Sequence, residues 1–186
     1  MPRKIKIEKE SILQIALNIV RKKGAQALNA RTLAEELGCS TQPIFSNYGS
    51  MEEVKREVIA RANHLYERYL QEDMQKAGEF PYKASGKAYI RFAREERELF
   101  KLLFMRDRSK EETENTDSLK PLIQLLIKQT GLSEEDALLF HLEMWVCVHG
   151  IATMVVTSYL QWNAEMIDRI LTDAYLGARN RFGVKE

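Results

Sequence analysis

The sequence predicts an all-α protein with an N-terminal three-helix helix-turn-helix head and a C-terminal helical bundle. Three observations support this fold class. Apolar residues recur every three or four positions along most of the 186 residues, which is the spacing of one helix face. The four prolines lie outside the long periodic segments, and no alternating Val, Ile and Thr runs indicate strands. The composition, 45% hydrophobic and 30% charged, excludes disordered and collagen-like chains.

The first helix is predicted over residues 8–23. Its last turn is basic, which complements the negative end of the helix dipole before Gly24 ends the helix. The apolar stripe of this helix consists of Ile12, Ile15, Ala16, Ile19 and Val20. One face of the helix is therefore expected to lie in a core.

Two short helices are predicted next from their capping residues. Asn29 is placed to cap a helix over residues 30–37, and Ser40 to cap a helix over residues 41–47. Pro43 is tolerated in the first turn of the latter, because N–H groups there lack intrahelical partners. A globular core alone rarely requires two helices that are so short and so tightly joined.

A longer fourth helix is predicted over residues 51–73. Ser50 and Glu53 form a capping-box pattern at its start. Residues 75–82 then carry a glycine and a proline, which mark the expected hinge between two domains.

The rest of the chain is also expected to be helical. The first of these helices is expected to break around residues 95–97, and a polar loop is expected over residues 107–116. Ser133 and Asn163 mark the breaks before the last two helices. The predicted helices lie near residues 83–106, 117–130, 134–161 and 164–181.

Nothing in the sequence indicates export or a membrane span. The charged start is followed by no apolar segment, and no apolar run reaches about 18 residues. Cys39 and Cys147 lie far apart, so two free thiols in a reducing cytoplasm are expected. Cys39 adjoins the third helix, where a redox function and an ordinary apolar turn residue are the two alternatives.

The third helix has a buried side and an exposed side. Ile44 and Tyr48 are four residues apart, so they share the face that packs inward. The amides of Gln42 and Asn47 can read adenine in the DNA major groove, and a helix-turn-helix presents its second helix to base edges in this way. The residues expected to face solvent or DNA are Thr41, Gln42, Pro43, Phe45, Ser46 and Asn47.

Residues 8–58 resemble the DNA-binding head of the TetR/AcrR repressor family without a gap. The resemblance is carried by Asn29-Ala-Arg31 at a helix start, by the turn Gly38-Cys39-Ser40, by the aromatic third helix and by the capped Glu-Glu-aliphatic start that follows. It implies a protein that binds double-stranded operator DNA.

The sequence departs from the family pattern at two positions that contact phosphates in relatives. Phe45 stands where the family usually has Tyr, and Met51 where it usually has Lys. Lys55, one turn later, can substitute for the second contact. Arg31 matches an Arg that the family often points at the DNA, so Arg31 and Lys55 complete the expected DNA-binding set.

Charge and motif together suggest a division into domains. Residues 1–63 hold 11 Lys and Arg against 7 Asp and Glu, whereas residues 64–186 hold 17 against 20. A basic N-terminal third is the footprint of a segment that contacts phosphates. We expect a DNA-binding domain over residues 1–50, a connecting helix over 51–74 and a regulatory domain over 75–186.

The segment over residues 89–104 and the pair Trp145 and His149-Gly150 resemble the regulatory domain of one TetR branch. Glu96-Arg97 replaces the Asn-Pro kink that is usual in that branch, so a softened kink is expected. Gly150 in mid-helix costs about 1 kcal/mol relative to Ala, which suggests a close helix approach there.

The resemblance implies a small, partly apolar effector in this domain. Its expected contacts are Phe92, Phe100, Phe104, Met105, Met144, Trp145 and His149. The alternative is that these side chains form plain core, with His149 a hydrogen-bonded core histidine.

The last two predicted helices carry more apolar surface than one bundle face needs. A homodimer that packs them as a four-helix bundle would bury this surface. Its two recognition helices could then meet the half-sites of a palindrome roughly 34–36 Å apart.

No signature of catalysis or cofactor binding is present. The three histidines and two cysteines lack zinc-ligand spacing, and the glycines form no phosphate-binding or nucleophile motif. We therefore expect neither a cofactor nor an enzyme. The family resemblance implies a ligand-responsive transcriptional repressor. The rival interpretations are a helical small-molecule carrier and an all-helical enzyme.

Overall fold

The computed structural model describes residues 7–78, 81–109, 119–159 and 161–184, and its regular elements in these ranges are all helical. The all-α prediction is confirmed. A 3₁₀ turn at Ala25–Ala27 accompanies nine α-helices in the described ranges. These helices are α1 (Lys9–Lys23), α2 (Ala30–Leu37), α3 (Gln42–Asn47), α4 (Met51–Lys76), α5 (Pro81–Glu95), α6 (Arg97–Phe104), α7 (Lys120–Thr130), α8 (Glu134–Val156) and α9 (Ala164–Arg181).

The chain divides into two compact units. The head unit comprises Met1–Glu67 and Glu96–Arg106, and the body unit comprises Arg68–Glu95 and Asp107–Glu186. The head unit thus includes α1 to α3, the first part of α4, and α6, which is remote in sequence. The functional boundaries expected near residues 50 and 74 stay a prediction.

The core of the head unit is built on α1, which contacts α2, α3 and α6. Ile12, Ala16 and Val20 are at most 1% exposed, as the apolar stripe predicts, whereas Ile15 is half-buried. Each fully buried aliphatic side chain contributes about 1.5–3 kcal/mol to folding. The other buried apolar residues of this unit are Leu13, Leu17, Ile19, Leu28, Leu33, Ala34, Ile44, Tyr48, Val54, Val58, Ala62, Leu99, Phe100 and Leu103.

The predicted caps of the head unit are right in two cases and wrong in one. The Asn29 side chain accepts hydrogen bonds from the N–H groups of Arg31 (3.1 Å) and Thr32 (3.0 Å). Ser40 does not cap α3, because the helix starts one residue later, at Gln42, and lacks a side-chain cap. A cap at Ser40 would have Pro43 at its third helical position, where proline offers no N–H group.

The capping box before α4 is confirmed, with a shift of one residue in one of its bonds. The Glu53 N–H group donates to Ser50 Oγ at 3.3 Å, and the Glu53 carboxylate accepts from the Gly49 N–H group at 2.8 Å. The helix continues to Lys76, three residues beyond the predicted end.

The helix predicted over 83–106 is broken at Glu96, as expected from the sequence. The expectation of a softened kink is wrong, because Glu96 leaves the helical region altogether, with φ −118° and ψ 49°. Its side chain is 2% exposed, and the carboxylate forms a bidentate ion pair with Arg21 on α1. A buried carboxylate needs such a partner, and this contact accompanies the interruption of the helix.

The breaks predicted before the last two helices are confirmed. Ser133 Oγ accepts from the Asp136 N–H group at 3.1 Å, and Asn163 Oδ1 accepts from the Met166 N–H group at 2.8 Å. Helix α8 ends five residues before the predicted limit, where Ser158 adopts a left-handed conformation (φ 56°).

Part of the C-terminal prediction falls outside the described residues. The expected polar loop is described only over residues 107–109, which are not helical, and residues 110–118 are outside the described ranges. Helix α7 is described from Lys120 to Thr130, in agreement with the end of the predicted helix.

The body unit is centred on α5 and α8, which share its largest contact. The helices approach closely at Gly86, where a Cβ atom would lie 3.1 Å from Val148 Cγ2. The close approach expected at Gly150 is wrong, since a Cβ there would meet no atom within 4 Å. A second core group joins α7 and α9 to α8, and it comprises Tyr82, Ile123, Leu126, Ala137, Phe140, Met144 and Ala178.

Candidate nucleic-acid interface and cleft

The turn between α2 and α3 sets the direction of α3. Gly38 adopts a left-handed conformation (φ 65°), which residues with a side chain rarely tolerate. The following Cys39 N–H group donates to the Ala34 carbonyl at 3.0 Å. Ile44 and Tyr48 are at most 1% exposed, so the predicted inward face of the third helix is confirmed. The opposite face of α3 is consequently presented to solvent.

Four of the residues predicted to face DNA are exposed on α3 or at its start: Thr41, Gln42, Phe45 and Ser46. Phe45 keeps 48% of its surface exposed. The Ser46 hydroxyl donates to the Gln42 carbonyl at 2.9 Å, and its oxygen can still accept. Pro43 is half-buried at the second helical position.

Asn47 is engaged within the protein. Its Nδ2 group donates to the Pro43 carbonyl at 2.8 Å and to the Ile7 carbonyl at 3.3 Å. These bonds tie the end of α3 to the segment that precedes α1. The function of Asn47 in reading bases stays a prediction, and the contact shown by the structure is an internal one.

Arg31 and Lys55 are both exposed, and each makes a surface ion pair. Arg31 Nε lies 3.0 Å from Glu35 Oε1, with 89% of the arginine side chain exposed. Lys55 Nζ lies 3.9 Å from Glu52 Oε1. Exposed pairs of this kind contribute about 0–1 kcal/mol, so either cation can exchange its carboxylate for a phosphate.

A cluster of three side chains holds α3 in position, and no sequence pattern predicted it. The Tyr48 hydroxyl donates to Glu57 Oε2 at 3.1 Å, and Lys9 Nζ lies 2.5 Å from Glu57 Oε1 and 4.7 Å from the Tyr48 ring centre. Burial raises the pKa of Tyr48, and the Lys9 ammonium lowers that of Glu57 through its hydrogen bond. Tyr48 therefore remains a donor at neutral pH, and the cluster links α3 to α1 and α4.

The seven predicted effector residues are divided between the two units. Phe100, Phe104 and Met105 belong to the head unit, where the Phe100 and Phe104 rings pack 5.0 Å apart. Phe92 is fully buried in the body unit and meets Tyr69 edge to face at 5.3 Å. Their function as effector contacts stays a prediction.

The other three effector candidates lie on α8. Met144 is buried in the core group shared with α7 and α9. Trp145 is 42% exposed and stacks on His149 at a centroid distance of 5.0 Å. His149 Nδ1 and the Tyr89 hydroxyl form a hydrogen bond of 2.8 Å, and burial lowers the pKa of this imidazole. His149 thus has the polar partner expected of a core histidine.

An open cleft of about 800 Å³ lies in the body unit. It is formed by the end of α4, the first half of α5, the end of α7 and the second half of α9. None of the seven predicted effector residues lines it. Its lining residues are Asp73, Lys76, Ala77, Tyr82, Lys83, Ala84, Lys87, Gln129, Thr172, Tyr175, Leu176 and Arg179.

Helix α8 carries an exposed apolar stripe. It is, among the described residues, the one helix long and apolar enough to cross a membrane by length and composition, with a mean hydropathy of 1.5. Glu143 and two histidines interrupt its apolar residues, so this helix contains no uninterrupted apolar run of the length that predicts a membrane span. Its packing on α5, α7 and α9 is that of a core helix. The exposed apolar side chains are Leu138, Leu139, Leu142, Trp145 and Val146.

The described residues contain no group of three or more His, Cys, Asp or Glu side chains that could hold a metal ion. His141 is buried and shares a hydrogen bond of 3.1 Å with the Tyr82 hydroxyl.

Comparisons with known proteins agree with this architecture. A family model of the tetracyclin repressor-like C-terminal domain matches residues 82–175. Among solved structures, a proposed transcriptional regulator from Pseudomonas aeruginosa PAO1 aligns with a TM-score of 0.65, over 95% of this chain and 96% of that chain. The two sequences are 14% identical, so the match shows a shared fold. No curated protein matches the chain by sequence.

Proposed function

Since the chain belongs to the tetracyclin repressor-like family of transcriptional regulators, we propose that it is a homodimeric, ligand-responsive repressor of a palindromic operator. The observation that carries the proposal is the exposed face of α3. Thr41, Gln42 and Ser46 present hydrogen-bonding groups there, opposite the buried Ile44 and Tyr48. Such a face suits the major groove, where base edges display distinct donor and acceptor patterns.

Contacts to the DNA backbone would come from cations around α3. Arg31 and Lys55 are exposed on the neighbouring helices α2 and α4. Phe45 lacks the hydroxyl group that family members use for a phosphate, and it offers apolar contact instead, for instance to a thymine methyl group. Pro43, through apolar contact, and Asn47, through its side-chain amide, complete the proposed DNA-contact surface.

The exposed stripe of α8 supports the proposed homodimer. Leu142, Trp145 and Val146 are each more than 40% exposed on one helix of a folded unit. Contiguous apolar surface of this kind marks an interaction site. A symmetric pairing of α8 and α9 would cover it and would set two α3 helices at the half-sites of a palindrome.

We further propose that a small, partly apolar effector binds the body unit and shifts the population of the DNA-competent state. The protein would act in the cytoplasm without a cofactor or enzymatic activity. A helical carrier or an all-helical enzyme would share the body unit, but neither would need the exposed face of α3.

A mobility-shift assay on the DNA upstream of the protein's own gene tests the function. We expect a specific complex whose affinity falls with salt, because cations of the head replace counterions on phosphates. Gln42→Ala should reduce the preference for the operator by about 1–3 kcal/mol at one base pair. Gln71→Ala, an exposed amide on the body part of α4, is the matched control and should bind like the wild type. The absence of a specific, salt-sensitive complex would contradict the proposal.

A further inference from the structure

The cleft of the body unit has the dimensions of a ligand site. Its volume of about 800 Å³ falls within the range of about 300–1,000 Å³ that is common for small-molecule pockets. Four helices contribute to it, so its walls are parts of the packed unit. Tyr82, which is buried, and Leu176, which keeps 51% of its surface exposed, both line the cleft. Apolar and aromatic atoms therefore face the open volume of the cleft.

The charge of the cleft is predominantly positive. Lys76, Lys83, Lys87 and Arg179 all line it, and the acidic residue that lines it is Asp73. The Asp73 carboxylate is committed elsewhere, since Arg91 donates to it from Nε at 3.1 Å and from a terminal nitrogen at 2.9 Å. Asp73 consequently does little to neutralise the lysines.

Two of these lysines share a single carboxylate. Lys83 Nζ lies 2.9 Å from Asp168 Oδ1, and Lys87 Nζ contacts the same oxygen. Lys83 also donates to Thr172 Oγ1 at 2.8 Å. Hydrogen bonds from Lys87 and Lys83 lower the pKa of Asp168, so this carboxylate is ionised at neutral pH. One negative charge against two ammonium groups leaves positive charge at the rim of the cleft.

We propose that this cleft binds an organic anion, with its carboxylate or phosphate group held by Lys83 and Lys87 and its apolar body against Tyr82, Tyr175 and Leu176. This inference rests on the proposed function, because it assigns the class and the place of the effector. It differs from the sequence-based expectation, whose seven aromatic, Met and His side chains lie elsewhere. The anion takes the position of Asp168 as partner of the two lysines.

The test uses three probes with the same hydrocarbon body on the full-length protein. They are 4-phenylbutyrate, its neutral amide 4-phenylbutyramide and the cation 4-phenylbutylamine, with decanoate and phenyl phosphate as additional anions. Isothermal titration calorimetry measures their affinities at low salt. We expect the carboxylate to bind about tenfold more tightly than the amide, because charge-assisted hydrogen bonds are the stronger ones. The amine should not bind measurably.

Variants of the cleft distinguish binding there from binding elsewhere. Lys83→Gln and Lys87→Gln should each weaken the carboxylate about three- to tenfold, as expected for partly exposed charge contacts. Asp168→Asn should tighten it about two- to fivefold, because the competing carboxylate is gone. Lys128→Gln, an exposed cation on α7 outside the cleft, is the matched control and should leave the affinity unchanged.

The outcomes decide the inference in both directions. The inference is supported if Asp168→Asn raises the affinity for the carboxylate probe and the two lysine variants lower it. A purely structural effect of these residues would not change the affinity in opposite directions. Equal affinity for carboxylate and amide overturns it, as does an absence of binding by every anion at millimolar concentration. The mobility-shift assay is run on the same preparations. A specific DNA complex without anion binding refutes this inference alone, and anion binding without a DNA complex refutes the proposed repressor.

Discussion

Removal of the Arg21 guanidinium should destabilise the head unit by about 2–3 kcal/mol, because it leaves a buried carboxylate without its cation. The Glu96 side chain is 2% exposed and receives two hydrogen bonds from Arg21. Breaking a fully buried ion pair costs about 3–5 kcal/mol. The Arg21 side chain is 48% exposed, so water can reach the space that it leaves. We therefore expect Arg21→Ala to lower the free energy of unfolding by less than the loss of a fully buried pair would.

The assay is urea unfolding followed by far-ultraviolet circular dichroism at one fixed protein concentration, since association would otherwise change the apparent stability. Both tryptophans, Trp145 and Trp162, belong to the body unit, so their fluorescence reports that unit separately. We expect the dichroism midpoint of Arg21→Ala to fall while the fluorescence midpoint moves less. Operator binding should be lost at a lower urea concentration than in the wild type.

A second variant tests the physical cause. Arg21→Ala/Glu96→Met removes the buried charge together with its partner, so about 1–2 kcal/mol of the loss should be recovered. Lys22→Ala, an exchange of the adjacent exposed cation, should stay within about 0.5 kcal/mol of the wild type. If the double variant is no more stable than Arg21→Ala, a stranded carboxylate is not the cause.

Three further outcomes are expected. Asn47→Ala should lower the stability of the head by about 1–2 kcal/mol in urea, because the Pro43 and Ile7 carbonyls lose a donor. A randomised-operator selection with the same variant tests the predicted base contact: a relaxed base preference supports it, and an unchanged preference contradicts it. Burial lowers the pKa of the His141 imidazole in the folded state. The unfolded chain therefore binds protons first, and the unfolding free energy falls as the pH drops below about 6.5. His141→Gln should flatten this pH dependence in thermal unfolding, and an unchanged dependence would contradict this assignment. Val146→Glu should yield a monomer in light scattering, whereas a dimer that persists at micromolar concentration would exclude the α8 stripe as the interface.

The limits of α2 and the start of α9 could be predicted because their signals are local. A capping side chain such as Asn29 or Asn163 bonds N–H groups two or three residues away, so the sequence contains both partners. Periodicity likewise identified Ile44 and Tyr48 as buried, since four residues make about one helical turn. Local capping and helix periodicity together therefore predict which face of α3 points to solvent.

Two contacts that no sequence pattern predicted involve partners that are distant along the chain. Nothing near Glu96 shows that Arg21, 75 residues earlier, will receive its carboxylate. Nothing near Asn47 shows that its amide will bond to the Ile7 carbonyl, 40 residues earlier. In both cases the local sequence is compatible with several side-chain conformations. The conformation in the structure is accompanied by a long-range hydrogen bond.

The amino-acid sequence by itself determined the helical class, the helix-turn-helix and the outward face of α3, because helix periodicity and capping act over one turn. The tertiary structure alone decided where the cleft lies and what charge it carries. Lys83 and Lys87 are ordinary surface residues in the sequence, and they become a pair when α9 brings Asp168 against α5. The sequence gives the charge of each residue separately, but the electrostatic field at a ligand site depends on which helices pack together.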